Sequence, residues 1–466
     1  MSEYKSLLKD SGIFAIGQLG SKLITIFFVP LYTSCLTTEE YGTADLVVMT
    51  ISLVFPILTA SISEAILRFC YQEEIKKESI VSVFYTIILL STIVNLGLGL
   101  AIGFFVPVIS QYYVYYIILT TLAAIETGLA NYLKGCRLIK EFAAQGIVHT
   151  FVIAVANVLM LVVFKMGLTG YFLSMIVAHI LTIVYIIFAG DLVKLPISFK
   201  LDKALFKEML VYSLPLVPAG MAWWVNSSAD KYMISGMLTV GDVGIYSVAH
   251  KIPTILTTIT GFFLSAWQLS AIKNVKSPNY GSFFSTVVKS VNCILIIGSG
   301  AIILSCQILA KILFQNDFYV AWKVVPLLTV ASCFSTIAGV FASAFTAAKK
   351  TNILFISTSV GAVVNIIANY YLINAFGIMG ASIATCLSFL VMVVVRYCMM
   401  TKNLVKLHIN LWKDIISFFL ILAESIIIFR CEEYFYPITS LFFVVLFMIY
   451  IKDINWLVKS FKKNIK

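Results

Sequence analysis

The chain has 466 residues, 61% of them hydrophobic and 12% charged, with a mean hydropathy of +0.99 and a formal charge of +11. A soluble chain carries about a quarter charged residues, so this supply cannot clothe a water-facing surface, and lipid must be the solvent for most of the chain. The positive charge lies in short loops between apolar runs, the pattern of a topology signal and of attraction to anionic phospholipids rather than of a nucleic-acid-binding face.

The apolar runs are continuous over about 20–25 residues and lack the ten-residue alternation of an outer-membrane strand. Helices satisfy their own backbone groups in hydrocarbon, so the expected class is an all-α polytopic membrane protein. Met1 to Asp10 is short and polar, and the first apolar run has no small-residue cleavage site. It reads as a spanning helix, not a signal peptide. In chain order, spans are expected near residues 11–35, 43–68, 80–106, 112–133, 142–164, 168–190, 211–236, 243–270, 283–314, 322–347, 352–374, 378–400, 411–430 and 436–451. The count is about fourteen, or twelve if the last pair does not cross. This divides the chain into a six-helix bundle over 1–190, a cytoplasmic linker over 191–210, a second six-helix bundle over 211–405, and two extra helices with a basic tail over 406–466.

Lys and Arg set the orientation. Of 33 such residues, 26 fall on one side if the amino terminus is inside, among them Arg68, Lys76, Lys134, Arg137, Lys203, Lys289 and Arg396. The other side keeps 4: Lys165, Lys311, Lys323 and Arg430. That asymmetry predicts both termini in the cytoplasm.

A repeat relates the two halves. Leu36-Thr37-Thr38-Glu39-Glu40-Tyr41-Gly42 and Leu238-Thr239-Val240-Gly241-Asp242-Val243-Gly244 both read L-T-x-x-acid-x-G, a helix-start signal. Gly167-Leu168-Thr169-Gly170 matches Gly377-Ile378-Met379-Gly380. The offsets of about 202 and 210 residues correspond to six helices, so the repeats share one orientation.

Ionisable groups lie within the expected spans: Lys22, Glu64, Glu126, His149, His179, Asp230, Lys231, His250, Lys251 and Glu424. Each charge at a helix centre costs about 2.5–3.5 kcal/mol, so most should face a wet interior or one another. Glu64 and Arg68 stand i,i+4 on one face, either as an ion pair or with Arg68 as a phosphate hook, since its planar fork suits oxyanions. An Asp230–Lys251 pair across helices that leaves Lys231 free is one expected arrangement; a structural pair near the outer interface is the alternative. Glu126 has no sequence-local partner and is a candidate for a coupling cation, H+ or Na+; the two histidines read as packing groups, with a proton relay as the alternative. Asn157, Asn365 and Asn369 are expected to bond between helices. Trp223, Trp224 and Trp267 read as interfacial belt residues, with sugar-stacking platforms as the alternative.

No phosphate loop, HExxH, GxSxG or metal-ligand spacing is present, and the nine cysteines form no CxxC pair. The expected outer loops are very short. These features point away from an enzyme and away from a bound cofactor.

Leu7-Leu8-Lys9-Asp10, Gly17-Gln18-Leu19-Gly20-Ser21-Lys22, Val29-Pro30-Leu31-Tyr32-Thr33 and Glu39-Glu40-Tyr41-Gly42 stand in an order that resembles polysaccharide-unit flippases of the Wzx type. So do Ser63-Glu64-Ala65-Ile66-Leu67-Arg68-Phe69 and the stretch from Asp230-Lys231-Tyr232 to His250-Lys251-Ile252. The resemblance implies the multidrug/oligosaccharidyl-lipid/polysaccharide exporter superfamily, with two six-helix bundles facing a central cavity and two helices added at the end. It implies an undecaprenyl-pyrophosphate-linked glycan as cargo, moved outward across the bacterial cytoplasmic membrane during surface polysaccharide synthesis (O-antigen or capsule), with polymerase machinery as a partner. By motif position, Lys22, Arg68, Lys231 and Lys251 would meet the pyrophosphate. Separately from the resemblance, an ion gradient is expected to bias transport, with Glu64, Glu126, Asp230 and His250 as the candidates for coupling or charge pairing. Where relatives carry Arg after the aspartate, this chain has Lys231, which lacks the bidentate fork. The competing readings are a cation-coupled multidrug exporter, a peptidoglycan-precursor flippase, and a membrane glycosyltransferase or polymerase.

Overall fold

The computed structural model describes residues 26–465 apart from 73, 195–201, 275–276, 349, 406 and 431. Regular structure among the described residues is helical throughout, and the chain forms two compact units, Met1–Trp224 and Val225–Lys466. The first contains α1 (Val29–Cys35), α2 (Thr38–Leu58), α3 (Ile62–Cys70), α4 (Lys77–Phe105), α5 (Pro107–Gln111), α6 (Tyr113–Gly135), α7 (Ile139–Asn157), α8 (Gly167–Ala189) and α9 (Lys203–Ser213). Helix α10 (Leu216–Met237) carries the chain from the first unit into the second. The second continues with α11 (Val240–Ala249), α12 (Lys251–Asn274), α13 (Tyr280–Leu313), α14 (Val325–Ala347), α15 (Thr351–Phe376), α16 (Ile378–Asn403), α17 (Leu411–Arg430) and α18 (Phe435–Ile465).

Ten helical segments among the described residues are long and apolar enough to cross a membrane. The protein is an all-α polytopic membrane protein. Its surface carries large apolar side chains that only lipid would solvate, including Phe104 (84% exposed), Phe105, Phe151, Phe188, Phe419 and Met448. Of the expected first span, residues 11–25 lie outside the described residues, and its end forms α1.

Two expected spans are broken rather than continuous. In the 43–68 span, Pro56 inside α2 has no N–H for the carbonyl four residues back, and Ala60 and Ser61 then adopt left-handed backbone (φ 50° and 52°). The chain resumes helix as α3 at Ile62. In the 243–270 span, α11 ends at Ala249, where Pro253 cannot donate to its carbonyl, and α12 restarts at Lys251. The stretch 191–210, expected as a plain linker, includes most of α9, capped by the Asp202 side chain on the amides of Ala204 and Leu205.

The repeat is visible as local structure. Thr37 and Glu40 form a capping box at the start of α2, and Thr239 and Asp242 form the same box at the start of α11. The second pair of motifs starts α8 and α16, with Gly167 and Gly377 both at positive φ (54° and 59°). Gly380 is held by close approach: a Cβ there would lie 1.9 Å from the Leu372 carbonyl oxygen.

In the first unit, α3 buries Ile62, Ala65, Ile66 and Phe69 against α4, α6 and α9, at i, i+3, i+4 and i+7. Its opposite face exposes Glu64 and Arg68. Helices α6, α7 and α8 pack on one another beside it.

Candidate functional site

Three spans of the first unit converge on one carboxylate. Glu126 of α6 is 8% exposed. Its Oε2 lies 2.6 Å from Nδ1 of His179 on α8, and Nδ1 of His149 on α7 lies 3.0 Å from Oε1 and 3.1 Å from Oε2. Gln145, one turn before His149, donates its amide to Oε1 at 2.8 Å. Thr182, beside His179 on α8, puts its hydroxyl 3.3 Å from Nδ1 of His149. The i,i+4 and i,i+3 spacings place each pair on one helix face. The two imidazoles meet edge to face with centroids 5.2 Å apart. One donor atom from each of Glu126, His149 and His179 lies within 4.8 Å of the others, a spacing one metal ion can span. The sequence gives Glu126 no local partner because its partners are 23 and 53 residues away. The histidines, read there as packing groups, are its ligands.

Elsewhere in this unit, the expected Glu64–Arg68 ion pair does not form. The Arg68 guanidinium lies over the Tyr212 ring of α9, 4.4 Å from its centroid. Both residues of the expected pair are exposed, so water competes for the contact, while the aromatic face attracts the guanidinium. Asn157 bonds between helices as expected, donating to the Tyr32 hydroxyl at 2.9 Å and accepting from Ser174 at 2.8 Å. Trp224 is buried and donates its indole N–H to the Met49 carbonyl. At the end of α6, just beyond the span, the thiol of Cys70 and the ammonium of Lys77 hydrogen-bond Cys136 and hold its thiol down to about 6. Lys22 lies outside the described residues.

The second unit has its own buried carboxylate. Asp230 of α10 is 4% exposed, and its Oδ2 accepts from the Tyr246 hydroxyl of α11 at 2.6 Å and the Thr385 hydroxyl of α16 at 3.2 Å. Oδ1 accepts from the backbone N–H of Lys231 at 3.0 Å. Asp230 does not pair with Lys251: its oxygens are taken by hydroxyls, and Lys251 begins the helix beyond the break. Lys231 is buried beside it. His250 sits against Tyr246 with ring centroids 4.7 Å apart. The side chains bonded to Asp230 are both hydroxyls.

Arg396, assigned by sequence to the basic loops, is instead 6% exposed within α16. Its guanidinium donates to the Ala338 carbonyl of α14 (2.7 Å) and to the Ser357 and Thr358 hydroxyls of α15 (2.9 and 3.0 Å). The uninterrupted apolar run before it was the signal that it belongs inside. Asn365 and Asn369, expected to bond across helices, bond each other along α15 at 3.0 Å. Trp267 donates to Ser343 and stacks on Phe284. Glu424 on α17 is fully buried, and neither carboxylate oxygen has a hydrogen-bond partner among the described residues. Among the described residues of this unit, Lys323 pairs with Glu432 at 2.5 Å and Lys413 with Asp453.

The family model described as polysaccharide biosynthesis protein matches residues 7–272, more than half of the chain. The chain belongs to the polysaccharide biosynthesis protein family. A relative from Haloferax volcanii, a probable low-salt glycan biosynthesis flippase, Agl15, is 26% identical over 222 residues. That match takes in 45% of this chain and 47% of the relative, so this member spans about half the length of the curated relative it matches. Among solved structures, the lipid II flippase MurJ in an inward closed conformation is similar with a TM-score of 0.71 at 16% identity, over 95% of this chain and 99% of that one. An inward-facing multidrug resistance MATE family transporter of the MOP superfamily gives 0.61 at 14% identity, over 83% and 98%. The Vibrio cholerae MATE transporter VcmN gives 0.56 at 11% identity, over 86% and 99%. These likenesses show that this family member shares the fold of those transporters.

Proposed function

We propose that this protein is a flippase, not an enzyme, that moves an undecaprenyl-pyrophosphate-linked oligosaccharide from the cytoplasmic to the outer leaflet of a bacterial cytoplasmic membrane by alternating access. The cargo is used in surface polysaccharide synthesis, and both termini lie in the cytoplasm. One observation carries the reading: Arg68 and Lys251, at the ends of helices, have no carboxylate partner among the described residues. Basic groups kept in such surroundings without counter-ions suit a polyanionic headgroup. A cation-drug exporter would favour the reverse excess. Family membership and the glycan flippase among its relatives support the same cargo class.

A coupling cation suits Asp230, because the carboxylate is surrounded by the oxygens of Tyr246 and Thr385, the ligand type that H+ and Na+ sites use. Lys22, Arg68, Lys231 and Lys251 are the side chains proposed to meet pyrophosphate. Deleting the gene should make one lipid-linked oligosaccharide accumulate on the inner leaflet, restored to the outer surface by the wild-type chain. Unchanged export in the deletion strain, or accumulation of lipid II instead, would reject this cargo.

A further inference from the structure

We propose that Glu126, His149 and His179 form a binding site for one divalent transition cation of the Zn2+ class inside the first unit. The three side chains come from three different membrane helices, α6, α7 and α8, and turn one donor atom each toward a common point. Donors bound to one Zn2+ at about 2.0–2.2 Å stand about 3.3 Å apart. The observed separations of 2.6 and 3.0 Å from each Nδ1 to the carboxylate already approach that spacing, so side-chain shifts of less than about 1 Å would admit the ion.

The donor types select the ion. Two imidazoles with one carboxylate suit a borderline transition cation, whereas Na+ and Mg2+ prefer oxygen donors throughout. Each imidazole would present the Nδ1 lone pair to the metal and carry its proton on Nε2, so the ligands bind as neutral rings and one anion. Gln145 and Thr182 flank the centre, with the amide on Glu126 and the hydroxyl on His149. Outer groups of this kind orient metal ligands. A water can complete the coordination, because the His149 side chain retains 26% exposure. Such an ion would tie α6, α7 and α8 together, and its binding energy would stabilise the unit by mass action.

The site differs from the oxygen-lined surroundings of Asp230 in donor type, and the proposal does not depend on what the protein transports. The test uses the full chain, purified in detergent, stripped with a chelator and titrated with Co2+, a spectroscopic stand-in for Zn2+. The expected result is one Co2+ per chain with visible ligand-field bands, displaced by Zn2+, and a melting temperature that rises with Zn2+ and falls back on chelation. The chain has four histidines, so His250→Asn with His408→Asn serves as a control that keeps the bands. Glu126→Gln, His149→Asn and His179→Asn should each weaken binding about tenfold or more. If a variant fails to fold, the wild-type spectrum and reversible melting shift still decide. Absence of both in the wild type would mean a hydrogen-bonded packing cluster or a proton site, and would overturn the proposal. So would bands that survive in all three variants.

Discussion

The guanidinium of Arg68 lies over the ring of Tyr212, its Cζ 4.4 Å from the centroid, although Glu64 stands one helical turn away. The aromatic face attracts the guanidinium without neutralising its charge, so Arg68 keeps a positive charge and a donor fork suited to an oxyanion. Arg68→Ala should abolish export with normal insertion. Arg68→Lys keeps the charge but loses the fork, worth about 1.5–3 kcal/mol for hydrogen bonds to a charged group, and should slow export about 10–100-fold. Tyr212→Phe should be near wild type and Tyr212→Ala should resemble Arg68→Lys. Surface glycan quantified at equal protein level checks all four, and full export by Arg68→Ala contradicts the assignment.

Asp230 holds two hydroxyls from separate helices. Tyr246→Phe removes the shorter of these bonds and leaves a buried acceptor oxygen with less support, a loss of about 1–3 kcal/mol. It should lower the melting temperature measurably. Asp230→Asn keeps the shape and removes the charge, so transport in vesicles should lose its dependence on the cation gradient. Gradient dependence equal to wild type in Asp230→Asn would move the coupling site elsewhere.

Glu424 carries two buried oxygens with no partner among the described residues. A buried polar group without a hydrogen bond costs about 1–3 kcal/mol. Glu424→Leu should therefore raise the melting temperature, in the usual direction for replacing a lone buried acid by an apolar side chain. Thermal unfolding in detergent tests it, and a lower melting temperature would mean that the carboxyl has an important contact.

Cys136 sits just past the end of α6, where Cys70 and Lys77 stabilise its thiolate and hold it down to about 6. Alkylation by a soluble maleimide should reach half its plateau rate near that pH, against about 8.5 for an ordinary thiol. Because the folded value is the lower one, the linked stabilisation is fully present above the unfolded thiol's range and is lost as pH falls through the folded value. Cys70→Ala should shift the alkylation profile upward. A profile centred at the ordinary thiol range in the wild type would remove this account of Cys136.

Local signals in the sequence had local structural outcomes. The L-T-x-x-acid-x-G motifs became capping boxes at Thr37–Glu40 and Thr239–Asp242 because their bonds close within four residues. Apolar runs became membrane-length helices because lipid leaves the backbone few alternatives. The break after Pro56 was written in the proline, but the left-handed turn at Ala60 and Ser61 has no glycine to announce it. The gathering of Glu126, His149 and His179 depends on how α6, α7 and α8 pack, which hydropathy does not encode. Arg396 was misplaced for the opposite reason: a charge near a helix end counts as a loop residue until its hydrogen bonds to Ala338, Ser357 and Thr358 are seen.

The central claim is that the protein transports a lipid-linked anionic glycan, and reconstitution tests it most directly. Proteoliposomes loaded with fluorescent undecaprenyl-pyrophosphate-linked oligosaccharide would be probed with a membrane-impermeant reagent that modifies only outer-leaflet sugars. The account predicts that the inner-leaflet pool becomes accessible with the wild-type chain and stays protected with Arg68→Ala. Protection identical to protein-free liposomes in an active preparation, or movement of cationic drugs but not of the glycan lipid, would contradict it.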